Sequence, residues 1–239
     1  MTIANPEHID AVMVWRYMSF SRFVWMLQKK QLWLSRADLL GDPWEITLAG
    51  DQLDHMISYA PPVNILDLPE VMETEMQYAE RIIKLWRRQT FVSCWSASNH
   101  ESHALWRIYC PSAEGVAVQT TLATLRKSTG DIPVYRVTYE TPGSNQRTPT
   151  LPDLVTKKRP MFRYEQEVRV VDWKEDALPE METLGRGLDW DPEKHLESIR
   201  LHPEADASLM ETVRSVVDHY APALSEHLAW SEMIARPPF

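Results

Sequence analysis

Hydrophobic and polar positions along this chain repeat with two periods, and those periods divide it into elements. Val14-Trp15-Arg16-Tyr17 predicts a short strand, Phe20, Phe23, Val24 and Leu27 recur at helical spacing, and Leu32-Trp33-Leu34-Ser35 predicts a second strand. Gly41-Asp42-Pro43 marks a turn, because proline fixes its own φ. Met72, Met76, Ala79, Ile83 and Trp86 follow at intervals of four, three, four and three, a single apolar stripe on a longer helix. Asp67, Pro69 and Glu70 resemble its capping box and first turn.

Phe91 to Trp95 reads as a strand, and Asn99 is placed to cap a short helix from His100 to Tyr109. Gly115 to Thr121 predicts a strand, Thr124 to Ser128 a brief helix, and the alternation from Ile132 to Tyr139 a further strand. Thr141 to Pro152 is polar, carries three prolines and reads as a mobile loop. Glu167 to Trp173 is a strand followed by an acidic connector to about Glu193. The chain then reads strand (Ile199 to Leu201), helix (Leu209, Val213, Val216, Val217, Tyr220) and strand (Leu228 to Met233). Strands and helices without regular βαβ alternation predict an α+β fold: one mixed or antiparallel-sheet domain over 1–239 with flanking helices. Its last strand, helix and strand, over 195–235, are expected to form a C-terminal extension.

Composition narrows the function. With 25 basic against 34 acidic residues in 239, the formal net charge is −9, which argues against a general nucleic-acid coat. An apolar share of 44% and a charged share of 25% are those of a folded protein. Cys94 and Cys110 are too few for a disulfide framework and suit a reducing compartment. The N-terminus lacks a basic stretch followed by an apolar run, and no segment approaches the ~20 apolar residues of a membrane span, so a cytoplasmic location is expected. No GxGxxG, P-loop, GxSxG, HExxH or CxxC motif occurs.

Three constellations carry candidate chemistry. On a strand, Glu165, Glu167 and Arg169 share a face, so two carboxylates and a guanidinium can line a cleft. The same pattern also suits a solvated face with an internal ion pair. Lys157-Lys158-Arg159 upstream forms a local basic patch for an anion, or a solvated run. Asp42 and Glu45 across the Gly-Asp-Pro-Trp-Glu turn suit capping better than metal binding. Trp106 and Tyr109, three apart on a helix beside Arg107, can sandwich a planar ring or pack in the core. His100 and His103 have only Glu101 beside them and make a poor metal site.

Taken in order, Trp15-Arg16-Tyr17-Met18-Ser19, Gly41-Asp42-Pro43-Trp44-Glu45, Trp106-Arg107-Ile108-Tyr109 with Gly115-Val116-Ala117, and Tyr164-Glu165-Gln166-Glu167-Val168-Arg169 resemble a bacterial family of unknown function, numbered twenty-nine seventy-one. Its members carry a Tyr-rich first strand, an Asn-Asp-Pro-Phe-Glu turn, a Trp-x-x-Tyr with a glycine strand, and a Tyr-Glu-x-Glu-x-Arg strand. The resemblance covers about residues 12–173, which it implies are the core of the domain; Gly41, Trp44 and Phe162 depart from the pattern, where asparagine, phenylalanine and tryptophan are usual.

A looser similarity links Arg16, Ser35 and Glu167 to ADP-ribosyltransferase-like folds. That resemblance implies NAD as substrate, with Arg16 on a phosphate or ribose, Ser35 on the nicotinamide ribose, and Glu167 on the ribose 2′-hydroxyl and the developing oxocarbenium ion. Under it, Glu167, Glu165 and Arg16 are the catalytic candidates, and Arg16, Tyr17, Ser35, Trp106, Tyr109 and Arg169 the ligand-binding ones. It also implies a small nucleotide ligand, a protein or nucleic-acid acceptor, no membrane partner, and a toxin or phage-defence setting. Two other classes stay open. One is a metal-dependent nuclease or phosphodiesterase using Asp42, Glu45, Glu165 and Glu167 with Lys158. The other is a non-catalytic partner-binding module.

Overall fold

The computed structural model describes residues 11–47, 75–141, 151–173 and 183–234, apart from the side chains of Glu75, Met76 and Tyr78. The capping box at Asp67 to Glu70, Met72, most of the proline-rich loop and much of the acidic connector lie outside the described residues. In chain order the elements are β1 (Met13–Ser19), α1 (Phe20–Lys29), β2 (Gln31–Arg36), α2 (Glu75–Gln89), β3 (Thr90–Ala97), α3 (His103–Tyr109), β4 (Gly115–Thr121), α4 (Leu122–Ser128), β5 (Val134–Arg136) and β6 (Thr138–Tyr139). There follow α5 (Leu151–Val155), β7 (Lys157–Lys158), β8 (Glu167–Trp173), β9 (Gly185–Asp189), α6 (Pro192–His195), β10 (Ser198–Leu201), α7 (Ala207–Tyr220) and β11 (Leu228–Ala229). The fold is α+β, built on a mainly antiparallel sheet in the order β11-β10-β4-β1-β3-β2-β9, with β8 and β5 branching from β3.

One face of this sheet is apolar and closed. Val14 and Met18 of β1, Leu32 and Leu34 of β2, Trp95 of β3, Val118 of β4, and Val168 and Val170 of β8 pack against Phe23, Met26 and Leu27 of α1 and Val213 and Val217 of α7. The strand period of two sends the intervening residues to the opposite face. There, two smaller clusters form with a space between them. Trp15, Tyr17, Leu105, Trp106 and Ala117 pack on the β1–β4 side, and Ile46, Val92, Leu154, Val155 and Val171 on the β2–β8 side.

The sheet forks between those clusters. One edge of β3 is covered by β8 from Thr90 to Ser96. The other edge is shared: β1 pairs only through Val14–Ala97 and Trp15–Ser96, and β2 only through Ser35–Val92 and Arg36–Phe91. Past those contacts β1 and β2 diverge, with α1 joining them. β1 continues against β4 as far as Ser19–Gly115, and β2 against β9 from Gln31–Asp189 to Ser35–Gly185. Gly185 is required there, since a Cβ would meet the Trp33 indole and the Leu34 carbonyl.

Several expectations are corrected. The short helix starts at His103 with Ser102, not Asn99, as its cap: the Ser102 hydroxyl accepts from the Leu105 amide at 3.4 Å. The alternation from Ile132 to Tyr139 is two strands, because β5 pairs with β8 whereas β6 pairs with β7 in a separate two-stranded sheet. The last strand is only Leu228–Ala229 and gives way to a 3-10 turn at Glu232–Ile234. Strand β9 and helix α5 were hidden, the first by two glycines and the second by its proline-rich flank. The C-terminal segment is integral to the sheet: β10 pairs with β4 along Ser198–Leu201.

Candidate functional site

A cleft of about 860 Å³ opens at the fork, within the size range of small-molecule sites. It is lined by Arg16 and Tyr17 of β1, Trp33 and Ser35 of β2, Cys94 of β3, and Glu167 and Arg169 of β8. Arg22 and Trp25 of α1, Tyr109, Lys158, Glu165 and Glu45 also line it. Of the residues singled out in the sequence, Arg16, Tyr17, Ser35, Tyr109, Glu165, Glu167 and Arg169 thus meet in one space.

Trp106 does not meet them. It is 1% exposed, packs edge-on against Tyr17 and His202, and donates its indole N–H to Glu101 at 2.8 Å. Helical spacing puts Trp106 and Tyr109 near one another, but a three-residue step is 300°, enough to send one to the core and leave the other 45% exposed at the cleft. Arg107 points away and pairs with Glu204.

On the fork side, Arg16 donates to the Ser93 hydroxyl at 2.6 Å and to the Trp33 carbonyl at 2.9 Å, with the Trp95 ring 6.0 Å from its guanidinium carbon. Both hydrogen-bond partners are neutral, and among the described residues no carboxylate pairs with Arg16. Burial pulls its pKa down to about 10, the Cys94 thiol opposing and the like charge of Arg22 adding to the fall. Arg16 therefore remains a cation at neutral pH, without a counter-anion.

On the β8 side the charges are dense. Arg169, fully buried, donates to both Glu167 oxygens at 2.8 and 2.9 Å and to the Val155 carbonyl at 2.6 Å. Lys158 reaches Glu165 at 2.5 Å, Glu167 at 3.2 Å and Glu45 at 3.3 Å. Burial favours a neutral Glu167, but the Arg169 guanidinium and Lys158 overcome it and hold its pKa at about 2. Glu165 moves the other way: burial raises it, and Lys158 only partly opposes. Burial and the nearby Glu167 push the Cys94 thiol well up, which makes it a poor nucleophile. Burial and Glu165 likewise raise Tyr109, whose hydroxyl lies 3.5 Å from Glu165.

Glu165 is not part of the strand. It ends the 3-10 helix Pro160–Glu165, and Gln166 at φ 44 then turns the chain so that Glu165 and Glu167 still meet at Lys158. The basic run is no patch either: Lys157 pairs with Glu140, Lys158 is buried, and Arg159 takes both oxygens of Asp42 at 2.9 and 3.2 Å. Asp42 does cap its turn, accepting from the Trp44 amide at 3.1 Å. Glu45 does not cap; it is 3% exposed and joins the charged network. Sequence reading missed that role because the local turn pattern favours capping, and missed Arg22, Trp25 and Trp33 because nothing local distinguishes them from a helix surface or a strand.

The carboxylates proposed for a metal already face cations, Asp42 facing Arg159 and the three glutamates facing Lys158 or Arg169. Among the described residues no group of three acidic, histidine or cysteine side chains has the geometry of a metal site. No helix among them is long and apolar enough to cross a membrane.

No family model matches the chain, so the expected family of unknown function gains no support from that comparison. No curated protein matches it either. Among solved structures, DarT of Thermus sp. 2.9, in complex with ADP-ribosylated ssDNA, aligns over 99% of this chain and 100% of its own at 12% identity and a TM-score of 0.45. At that TM-score the likeness identifies neither family nor reaction.

Proposed function

We propose that the chain consumes NAD, transferring ADP-ribose to an acceptor or to water. The observation that carries this reading is the convergence of Arg16, Ser35, Glu165 and Glu167 on one cleft at the fork of the sheet. Arg16, a cation without a counter-anion, suits the dinucleotide's phosphate. Ser35 and Tyr17 border the space beside it, suited to the nicotinamide ribose.

A carboxyl group held at about 2 does not shuttle protons at neutral pH. Glu167 is instead a permanent negative charge on a rigid strand, the device that stabilises a developing cation. Its Oε2 already accepts from Arg169 and Lys158, so it is Oε1, which takes the Arg169 Nε–H, that keeps lone-pair capacity for a ribose 2′-hydroxyl. As the bond from the ribose C1′ to the ring nitrogen breaks, nicotinamide leaves with the bonding electrons and the oxocarbenium charge grows. The attacking hydroxyl, of water or acceptor, then closes the C1′ bond and gives up its proton. Glu165, with its raised pKa, is suited to take that proton.

Purified protein incubated with NAD, with and without protein and nucleic-acid acceptors, should release nicotinamide, and EDTA should not change the rate. Glu167→Gln should slow release by about 10²-fold or more, the scale of losing one transition-state electrostatic contact. No release by the wild-type chain with any acceptor defeats the reading. An undiminished rate in Glu167→Gln defeats the site assignment alone.

A further inference from the structure

Glu45 comes from the turn after β2, far in sequence from the strand it serves. Asp42 anchors the turn on Arg159, and Arg87 of α2 binds it from behind, donating to the carbonyls of Pro43 and Glu45 at 2.8 and 3.0 Å. Glu45 is thereby pressed into the network, with one oxygen 3.3 Å from Lys158 and the other 3.0 Å from Arg169. The second contact is an ion pair by distance but not a hydrogen bond by direction: Oε2 of Glu45 is buried and accepts none. That oxygen, on a residue that lines the cleft, faces only the off-axis Arg169 guanidinium and accepts no hydrogen bond, so it keeps capacity for a second positive group.

Glu165 and Glu167 alone would balance Lys158 and Arg169. Glu45 is the third carboxylate against two cations within ion-pair reach, so this set carries one excess negative charge; Arg87 lies behind the Glu45 turn, outside the cleft lining, and Arg16 and Arg22 line the other arm. The nearby Asp42–Arg159 pair is internally neutral. A low-dielectric pocket with one excess negative charge favours a cationic ligand over a neutral ligand of the same shape.

We propose that Glu45 makes this arm of the cleft selective for a cationic N-alkylpyridinium ring over its neutral isostere. The inference rests on the NAD reading for the identity of the ring, while the sign of the charge comes from the network itself. Glu45 is a specificity-determining residue, and the balanced pairs it leaves behind allow Glu45→Gln to fold.

The test needs no turnover. The purified chain at pH 8 is titrated by ligand-observed NMR with 1-methylnicotinamide, a permanent cation with no ribose to lose, and with neutral nicotinamide. The wild type should bind the cation about tenfold more tightly, as one partly screened charge dictates. Glu45→Gln should bring the ratio close to one while still binding neutral nicotinamide, and Glu45→Asp should restore most of the preference. No preference in the wild type, no binding of either ring, or an unchanged ratio in Glu45→Gln overturns the proposal. Equal loss of both ligands in Glu45→Gln also overturns it, because that is the mark of a purely structural role. Cation preference without nicotinamide release from NAD defeats the NAD reading and leaves the role of Glu45 standing.

Discussion

The two arms of the cleft bury charge in opposite ways. At the fork, Arg16 sits between neutral acceptors, a cation with no carboxylate partner among the described residues. On the β8 side, five charged groups interlock and the acids outnumber the bases. Paired buried charges hold one another, and removing one partner strands the other. A charge held only by neutral acceptors keeps its hydrogen bonds to the fold while its charge stays available to a ligand. The same sheet thus carries one arm whose charges are structural first and one whose charge is free to act.

The largest effect should come from breaking the interlocked arm. Arg169→Met strips both guanidinium hydrogen bonds from Glu167 and removes the cation beside Glu45. Stranding buried carboxylates in this way costs about 3–5 kcal/mol, readable as a fall in the urea midpoint. A loss under ~1 kcal/mol would show that water reaches the network and that its charges are not interlocked.

Acid should loosen the same arm. The folded pKa of Glu167, about 2, lies below its ordinary 4.5, so its contribution is complete above 4.5 and disappears as pH falls toward 2. By linkage the contribution is about 3 kcal/mol. Stability measured from pH 5 to pH 2 should drop steeply in the wild type and less in Glu167→Gln. Glu165 has the opposite sign: its raised pKa means that ionisation weakens the fold, so Glu165→Gln at pH 8 should change stability by under ~1 kcal/mol. Equal acid sensitivity in wild type and Glu167→Gln would place the acid response elsewhere.

At the fork the order of effects reverses. Arg16→Gln loses two hydrogen bonds but also a buried, uncompensated cation, so its thermal midpoint should stay within a few degrees of wild type. Its affinity for ADP, which offers phosphates but no pyridinium, should fall about tenfold or more, as for a lost charge-assisted contact. Unchanged ADP affinity would remove Arg16 from the ligand's reach.

What the sequence could show follows from how local each signal is. The main strands were legible because Val14, Leu32, Leu34, Val116, Val118, Val168 and Val170 alternate or cluster with clear periods. Glu167 and Arg169 were legible as a pair because strand alternation alone puts them on one face. The fork was not, because a ladder that stops after Trp15–Ser96 is a matter of pairing between distant strands, invisible in any window of residues. Glu45 and Lys158 looked like a cap and a surface run for the same reason: their partners are supplied by other parts of the chain. Strand β9 was lost because Gly185, which the Trp33 indole requires, weakens every strand propensity.

Trp106 gives the smallest expected effect on turnover and the clearest separation of core from cleft. Its indole N–H is one of three donors to Glu101, beside the Ser231 hydroxyl at 2.7 Å and the Glu232 amide at 2.9 Å, and this carboxylate ties the last 3-10 turn to α3. Trp106→Phe keeps an aromatic ring for Tyr17 and His202 to pack against but removes that donor and part of the buried indole volume. The loss should be about 2 kcal/mol, seen as a thermal midpoint lower by about 4–8 °C. Nicotinamide release, measured well below that midpoint, should match wild type. Tyr109→Ala, altering a side chain that does line the cleft, should slow release without a comparable change in midpoint, since nearly half of that residue is already in solvent. A slowed reaction in Trp106→Phe with an unshifted midpoint would return its indole to the ligand, and with it the ring sandwich that helical spacing predicts.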